Sequence, residues 1–262
     1  MSIIHHVVSG DGSPPFVLVH GFTCDHTDWA AQVAHLSPRH KTVAVDLKGH
    51  GATPGTPADC TIEGYGADVV AAMEALDLPP AIVVGHSMGC RVAVEVAVQA
   101  PGRTAGVILV DGSQFNRETE ALVRPLFAVG GYGQMVRALF APMFTDRTAP
   151  EVRTSIEARA LALPREIGEK ITLDTIRYDI AALEGALRQV TAPLLVLQST
   201  YTTPDRNRHT LKVGQQIPYF ELFRRSAPSA RIEIVPDTGH FTQIDAPDAT
   251  NAVLDAFVSS LA

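Results

Sequence analysis

Ser87 lies at the centre of a Gly-His-Ser-Met-Gly motif whose residue types suit nucleophilic chemistry. A serine hydroxyl attacks a carbonyl only when a base and donors for the oxyanion lie close to it. The apolar run 81–84 before the motif predicts a buried strand, and the breaker-poor stretch 88–99 after it predicts a helix. A sharp strand-to-helix turn strains its central residue and leaves no room for side chains on either side, which explains the glycines. The pattern therefore predicts that Ser87 is a nucleophile whose hydroxyl is held clear of the sheet by the turn.

His240 is the strongest candidate for the base among ten histidines. It lies in the loop Asp-Thr-Gly-His-Phe, between a predicted strand at 231–236 and a last helix that begins near 246. Loops that follow parallel strands gather at one edge of the sheet, so this loop should lie beside the serine turn. Other histidines in or next to glycine-rich turns are expected to make structural hydrogen bonds: His20, His50 and His86.

The elements that must position these residues alternate along the chain. Predicted strands are 16–20, 41–46, 81–84, 106–111, 193–198 and 231–236, and predicted helices are 27–36, 61–76, 88–99, 219–226 and a last one from 246. Such alternation indicates an α/β fold with a mostly parallel, doubly wound sheet. The alternation stops between 112 and 189, where interrupted helical stretches carry scattered aromatic residues. We therefore predict a core of 1–111 and 190–262 with an inserted helical cap of 112–189.

Composition narrows the class of protein further. The chain has 262 residues, 46% of them hydrophobic, and a net charge of −7, which argues against a nucleic-acid partner. Three cysteines without metal-ligand spacing suit a reducing compartment. Neither a signal peptide nor an apolar segment long enough for a bilayer is evident. These features predict a cytoplasmic protein that acts on a small molecule, with no membrane partner.

Four motifs in order resemble the α/β-hydrolase fold superfamily: His-Gly-Phe at 20–22, Asp-Leu-Lys-Gly-His-Gly at 46–51, the serine motif at 85–89 and Asp-Thr-Gly-His at 237–240. The resemblance implies that Ser87 is the nucleophile and His240 the base, with the backbone N–H groups of Phe22 and Met88 as the oxyanion hole. It implies no metal and no organic cofactor. The substrate pocket is expected to include Cys24, Phe115, Phe127, Tyr132, Phe140, Met143, Phe144 and Phe241.

Members of the superfamily also have an acid that orients the base and completes a catalytic triad, and here this chain departs from the usual pattern. The acid usually follows the strand equivalent to 193–198, but in this chain the residues at 199–202 are Ser-Thr-Tyr-Thr. In a minority, which includes zearalenone-type lactonases and cofactor-free dioxygenases of quinolone breakdown, the acid follows the strand equivalent to 106–111. Asp111 ends that strand, and a strand end is a rigid mount for a side chain. We therefore predict Asp111 as the acid.

Asp205 is the alternative acid. It lies after Pro204 in the polar stretch 201–209, which favours a turn. The neighbouring Arg206 and Arg208 could pair with it at the surface, and we expect it to have no role in the triad.

These features predict a serine hydrolase that cleaves carboxylic esters or lactones with an apolar acyl or aryl part, through an acyl-enzyme. One alternative is a cofactor-free dioxygenase that deprotonates a heteroaromatic, quinolone-like substrate with the histidine–aspartate pair. Residues 22–26 and 240–248 resemble the corresponding stretches of those enzymes, but Cys24 stands where they tend to have a histidine. A second alternative is a ligand-binding protein on this fold, without catalysis.

Overall fold

The computed structural model describes residues 3–129, 131–203 and 207–261. Its strands are β1 (His6–Ser9), β2 (Phe16–Val19), β3 (Thr42–Val45), β4 (Ala81–His86), β5 (Thr104–Val110), β6 (Leu194–Gln198), β7 (Thr200–Thr202), β8 (Arg208–Thr210) and β9 (Arg231–Ile234). Its helices are α1 (Ala30–Leu36), α2 (Ile62–Ala75), α3 (Gly89–Gln99), α4 (Arg117–Val129), α5 (Gly131–Phe140), α6 (Pro150–Ala162), α7 (Arg165–Ala181), α8 (Leu183–Leu187), α9 (Pro218–Ser226), α10 (Thr242–Asp245) and α11 (Pro247–Ser259). Short 3-10 turns occur at His26–Trp29, Pro57–Asp59, Pro101–Arg103 and Ala141–Met143.

Seven strands form one sheet in the order β1-β3-β2-β4-β5-β6-β9. Only β1 is antiparallel to its neighbour, so the predicted mostly parallel sheet is confirmed. β4 lies in the middle, with Gly85 opposite Val19 of β2 and Leu109 of β5. The turn after β4 therefore opens at the centre of the carboxyl edge, where α/β sheets place their sites.

Both faces of the central strands are buried, as their continuous apolar runs predict. Val83 and Val107 point to one face and pack in a cluster with residues of α2 and α3. Ile82 and Ile108 point to the other face and pack with residues of α1 and α11, including Phe257. The sheet is therefore covered by helices on both sides, which confirms the doubly wound architecture.

Between β5 and β6 the described residues of 112–189 contain helices α4 to α8 and no strand. Arg159 of α6 ties this segment to the core, since its guanidinium donates to Asp25 at 2.7 Å and also to Asp28. Arg91 of α3 makes a second tie to Asp179 of α7. In the part of the chain that the structure describes, no helix is both long and apolar enough to cross a membrane.

A small hairpin follows β6 where the sequence predicted a polar turn. β7 pairs with β8 in antiparallel fashion, with Tyr201 opposite His209. Its strands are three residues long and carry polar side chains on both faces, so they lack the apolar alternation that identifies a strand. The edge strand β1 is short and largely exposed, and it was missed for the same reason.

Candidate active site

Ser87 lies in the tight turn between β4 and α3 with a positive φ of 55°. A Cβ on Gly85 would lie 2.1 Å from the carbonyl oxygen of Gly89, and one on Gly89 would lie 2.6 Å from the backbone of Val19. Only glycine allows this close approach on both sides of the serine. A non-glycine residue in this conformation costs about 1–3 kcal/mol and persists only where the surroundings enforce it, as at functional sites.

His240 lies in the loop between β9 and α10, and its ring bridges the side chains of Ser87 and Asp111. Its Nε2 accepts from Ser87 Oγ at 2.9 Å, and its Nδ1 donates to Asp111 Oδ2 at 2.6 Å. The backbone of His240 is held on both sides, because its N–H donates to the Met143 carbonyl at 3.1 Å and its carbonyl accepts from His86 Nε2 at 2.9 Å. The three side chains thus form a serine–histidine–aspartate chain with the ring fixed in position.

Asp111 follows β5 with a φ of 46° and is fully buried. Its Oδ1 accepts from the backbone N–H groups of Ser199 and Thr200 at 2.9 and 2.7 Å, and from Ser199 Oγ at 2.9 Å. Thr200 Oγ1 donates to Oδ2 at 2.6 Å. Burial acts to raise the pKa of Asp111, but the hydrogen bond and charge of His240 and the charge of Arg208 bring it below its usual value. The end of β6 therefore supplies donors that hold an ionised acid from β5. The alternative acid, Asp205, lies outside the described residues.

Arg208 of β8 is a functional candidate that sequence reasoning missed. Its Nη1 donates to Thr200 Oγ1 at 2.6 Å and lies 3.5 Å from Asp111 Oδ2 and 3.2 Å from His240 Nδ1. Arg208 does not lie at the surface as expected from the sequence, because only 13% of its side chain is exposed and its guanidinium faces the Asp111 carboxylate. Burial and then the charge of Arg208 lower the pKa of His240 below its usual 6.5.

If the predicted ester hydrolysis is followed as kcat/KM against pH, we expect Arg208→Gln to shift the fall in activity at low pH to higher pH, by up to about one pH unit. His240 accepts a proton only as a neutral ring, so turnover falls as the pH drops through its pKa. Arg208 and Arg91 lower this pKa, and Asp111 raises it. Loss of the Arg208 charge therefore raises the pKa of His240, so on lowering the pH turnover is lost at a higher pH than in the wild type. Arg208→Lys keeps the charge and should restore the wild-type limb, whereas an unmoved limb in Arg208→Gln would contradict this role.

The predicted oxyanion donors lie beside the serine. A Cβ on Gly21 would lie 3.1 Å from Ser87 Cβ, so the loop that carries Phe22 runs directly against the nucleophile. Met88 follows Ser87 and leads into α3, whose N-terminal end favours negative charge. Within the described ranges, neither backbone N–H is used in a hydrogen bond. Both amides are free to bind a developing oxyanion.

Four of the predicted pocket residues lie around the His240 loop. Phe241 packs against the His240 ring at 5.4 Å between centroids. Phe144 and Phe140 of the 112–189 segment stack on Phe241 at 5.5 and 6.4 Å. Met143 contributes the carbonyl that binds the His240 backbone. An aromatic cluster from the predicted cap therefore adjoins the candidate base.

The other four lie in different surroundings, and the pocket role of all eight residues stays a prediction. Tyr132 packs against Gly168 of α7, inside the helical segment. Phe127 is buried in α4, and Cys24 is buried just after the Phe22 loop. Phe115 lies under the guanidinium of Arg91 at 5.3 Å.

The glycine-flanked histidines make the expected structural hydrogen bonds. His20 Nδ1 donates to the Gly21 carbonyl at 2.7 Å, while its Nε2 accepts from the Leu47 N–H at 3.1 Å. His50 Nδ1 lies 3.2 Å from the Lys48 carbonyl. Burial and the neighbouring His240 lower the pKa of His86 to about 3. His86 therefore supports the His240 loop as a neutral ring.

His5, His26 and Asp46 form the one group of metal-ligand types found in the described part of the chain. Each histidine Nδ1 donates to the Asp46 carboxylate at 2.9 Å, and the N–H groups of His26 and Ala52 donate to the same carboxylate. These hydrogen bonds account for the cluster, which holds the loop after β3 in place.

Comparison with known proteins agrees with this architecture. The chain matches the model described as Alpha/beta hydrolase family over residues 16–253. The dihydrolipoyllysine-residue acetyltransferase component of the acetoin cleaving system of Pseudomonas putida is 25% identical over 96% of this chain, which spans 65% of that relative's length. A probable esterase of Oryza sativa subsp. japonica is 26% identical, covering 91% of this chain and 89% of the relative.

A solved structure shows the same fold at low identity. The enol-lactonase from Burkholderia xenovorans LB400 superposes with a TM-score of 0.79 at 23% identity, covering 98% of this chain and 96% of that one. The family match extends from β2 into α11 and so includes the serine turn, the Asp111 strand end and the His240 loop. The chain belongs to the alpha/beta hydrolase family.

Proposed function

We propose that this protein hydrolyses carboxylic esters or lactones, with Ser87, His240 and Asp111 as its catalytic triad. The observation that carries the proposal is the continuous hydrogen-bond chain from Ser87 Oγ through the His240 ring to Asp111 Oδ2, at 2.9 and 2.6 Å. Such a chain lets the imidazole take the serine proton while the carboxylate stabilises the imidazolium that forms.

The reaction follows from the placement of these groups. Ser87 Oγ attacks the carbonyl carbon and passes its proton to His240 Nε2, and the carbonyl oxygen becomes an oxyanion at the N–H groups of Phe22 and Met88. His240 then gives the proton to the leaving alkoxide, which departs and leaves an ester on Ser87. Water gives a proton to His240 and attacks the acyl-enzyme, and His240 then returns that proton to Ser87 Oγ as the carboxylic acid leaves. In a lactone the two products remain one hydroxy acid.

An apolar acyl or aryl part is supported by the aromatic side chains beside the base. Phe241 packs against the His240 ring, and the buried rings of Phe144 and Phe140 stack on Phe241, so the protein around the base is apolar. The similarity to a probable esterase that covers 91% of this chain agrees with hydrolysis of an ester bond.

The test has two parts. Hydrolysis of p-nitrophenyl esters is measured by spectrophotometry, and hydrolysis of aliphatic and aryl lactones by pH-stat. Oxygen uptake with 4-quinolones is measured separately with an oxygen electrode. We expect ester or lactone turnover without oxygen uptake, and a burst of p-nitrophenol equal to the enzyme concentration when deacylation is slow. Stoichiometric oxygen uptake without ester turnover would support the cofactor-free dioxygenase instead. Binding of these compounds without any turnover would indicate a ligand-binding protein.

A further inference from the structure

A cavity of about 510 Å³ lies next to the Asp111 carboxylate. Its walls come from the start of the 112–189 segment, the junction of α7 and α8, the β7–β8 hairpin and the first residues of α9. None of the three triad residues lines it, but Thr200 and Arg208, which contact Asp111, do. The cavity is therefore separate from the nucleophile, and two of its lining residues contact the candidate acid directly.

The acidic groups in its wall already have partners. Asp179 accepts from Arg91 Nε and Nη2 at 2.7 and 2.5 Å, and from the N–H of Phe115 at 2.7 Å. The Glu184 carboxylate contacts Arg188 and Arg225. The negative charge facing the cavity is therefore neutralised from within the protein.

The basic groups leave positive charge available. Arg208 uses only Nη1 in its hydrogen bonds, and its Nε and Nη2 have no protein partner among residues 3–129, 131–203 and 207–261. Arg117 also lines the cavity and adds a second cation. The two open donors of Arg208 form the planar fork that binds a carboxylate in bidentate fashion.

The rest of the lining is suited to an apolar body. Phe115, Ile180, Ile217 and Tyr219 contribute aromatic and aliphatic surface. The volume falls within the roughly 300–1,000 Å³ of small-molecule sites, in which a few polar groups orient a mostly apolar ligand.

We propose that this cavity is a second binding site, for an organic monocarboxylate with a compact aromatic or aliphatic body held by its carboxylate on Arg208. The apolar walls take the body, and the fork of Nε and Nη2 takes the charge. Since Nη1 of the same guanidinium contacts Thr200 and lies beside Asp111, a bound ligand shares Arg208 with the triad acid.

The test is isothermal titration of the Ser87→Ala protein with benzoate, and with benzamide as a neutral ligand of the same shape. The readout is binding, so it does not depend on whether the protein hydrolyses esters. We expect benzoate to bind with a Kd of about 1 mM or tighter, and benzamide at least about tenfold more weakly. Arg208→Gln, made in the same background, should weaken benzoate at least about tenfold.

Gly185→Trp is the matched variant that changes space without changing charge. Gly185 lines the cavity, and a Cβ there would contact nothing within 4 Å, so the larger side chain fits the fold. It should abolish benzoate binding and, made in the wild-type background, leave ester turnover unchanged. Two outcomes would overturn the proposal: no benzoate binding up to about 20 mM, or binding that Gly185→Trp leaves unchanged, which places the anion elsewhere.

Discussion

Ser87→Ala should reduce ester turnover by on the order of a millionfold while leaving the fold intact. In the proposed mechanism the hydroxyl oxygen forms the acyl-enzyme, and it is the group that donates to His240 Nε2. Because Ser87 Oγ points to this ring and not into either apolar cluster, its loss creates no cavity in the core. Steady-state rates with p-nitrophenyl esters and thermal unfolding of the same samples would measure both effects.

Ser226→Ala is a suitable control for this prediction. Ser226 is a buried serine at the end of α9, and its hydroxyl has no hydrogen-bond partner among the described residues. Turnover should be unchanged in this variant. Diisopropyl fluorophosphate should add one phosphoryl group to the wild type and to Ser226→Ala but none to Ser87→Ala, as measured by intact mass. If Ser87→Ala kept more than a few per cent of the wild-type rate after a contaminating esterase was excluded, nucleophilic catalysis by Ser87 would be wrong.

The serine turn and its strands were predictable because the information lies in consecutive residues. The β-branched run before Ser87 and the glycines on either side of it determine a strand, a tight turn and a helix that follow one another directly in the chain. His240 was predictable from topology, since parallel strands present their following loops at one edge. These inferences require no knowledge of which distant side chains meet.

The surroundings of Asp111 depend on contacts that no local pattern contains. Ser199 and Arg208 are separated from Asp111 by 88 and 97 positions in the chain, and both reach it only because β6 packs beside β5. The absence of an acid after β6 was visible in the sequence, but the role of the residues found there, which donate hydrogen bonds to Asp111, was not recognised. Two adjacent hydroxyl residues, Ser199 and Thr200, at the carboxyl end of a buried strand were the available signal.

Arg208 shows why polarity alone misleads. The stretch around it reads as a solvated turn, since an arginine in a polar segment is usually exposed. Its guanidinium instead contacts Thr200 and faces the Asp111 carboxylate, which compensates the cost of burying its charge. The cavity beside it joins four separate segments of the chain and is likewise a product of tertiary packing.

Asp111→Asn should lower ester turnover by roughly three to four orders of magnitude, the effect expected when a triad acid becomes an amide. Oδ1 accepts from two donors of Ser199 and one of Thr200, so the asparagine oxygen must occupy that position. Its NH₂ group then replaces Oδ2 and faces His240 Nδ1. The ring must present a lone pair at Nδ1 and carry its proton on Nε2, where it can no longer accept the serine proton.

Two control variants separate this effect from loss of stability and from the alternative acid. Asp174 is a buried carboxylate of α7 that accepts from the Ile62 N–H at 2.9 Å and from Arg177 at 3.0 Å. Asp174→Asn should lower the melting temperature yet keep turnover, whereas Asp111→Asn should lose turnover in samples that remain folded at the assay temperature. Asp205→Asn should be nearly silent in both measurements. The reverse pattern, with turnover lost in Asp205→Asn and kept in Asp111→Asn, would show that Asp205 is the acid and that Asp111 only anchors the end of β6.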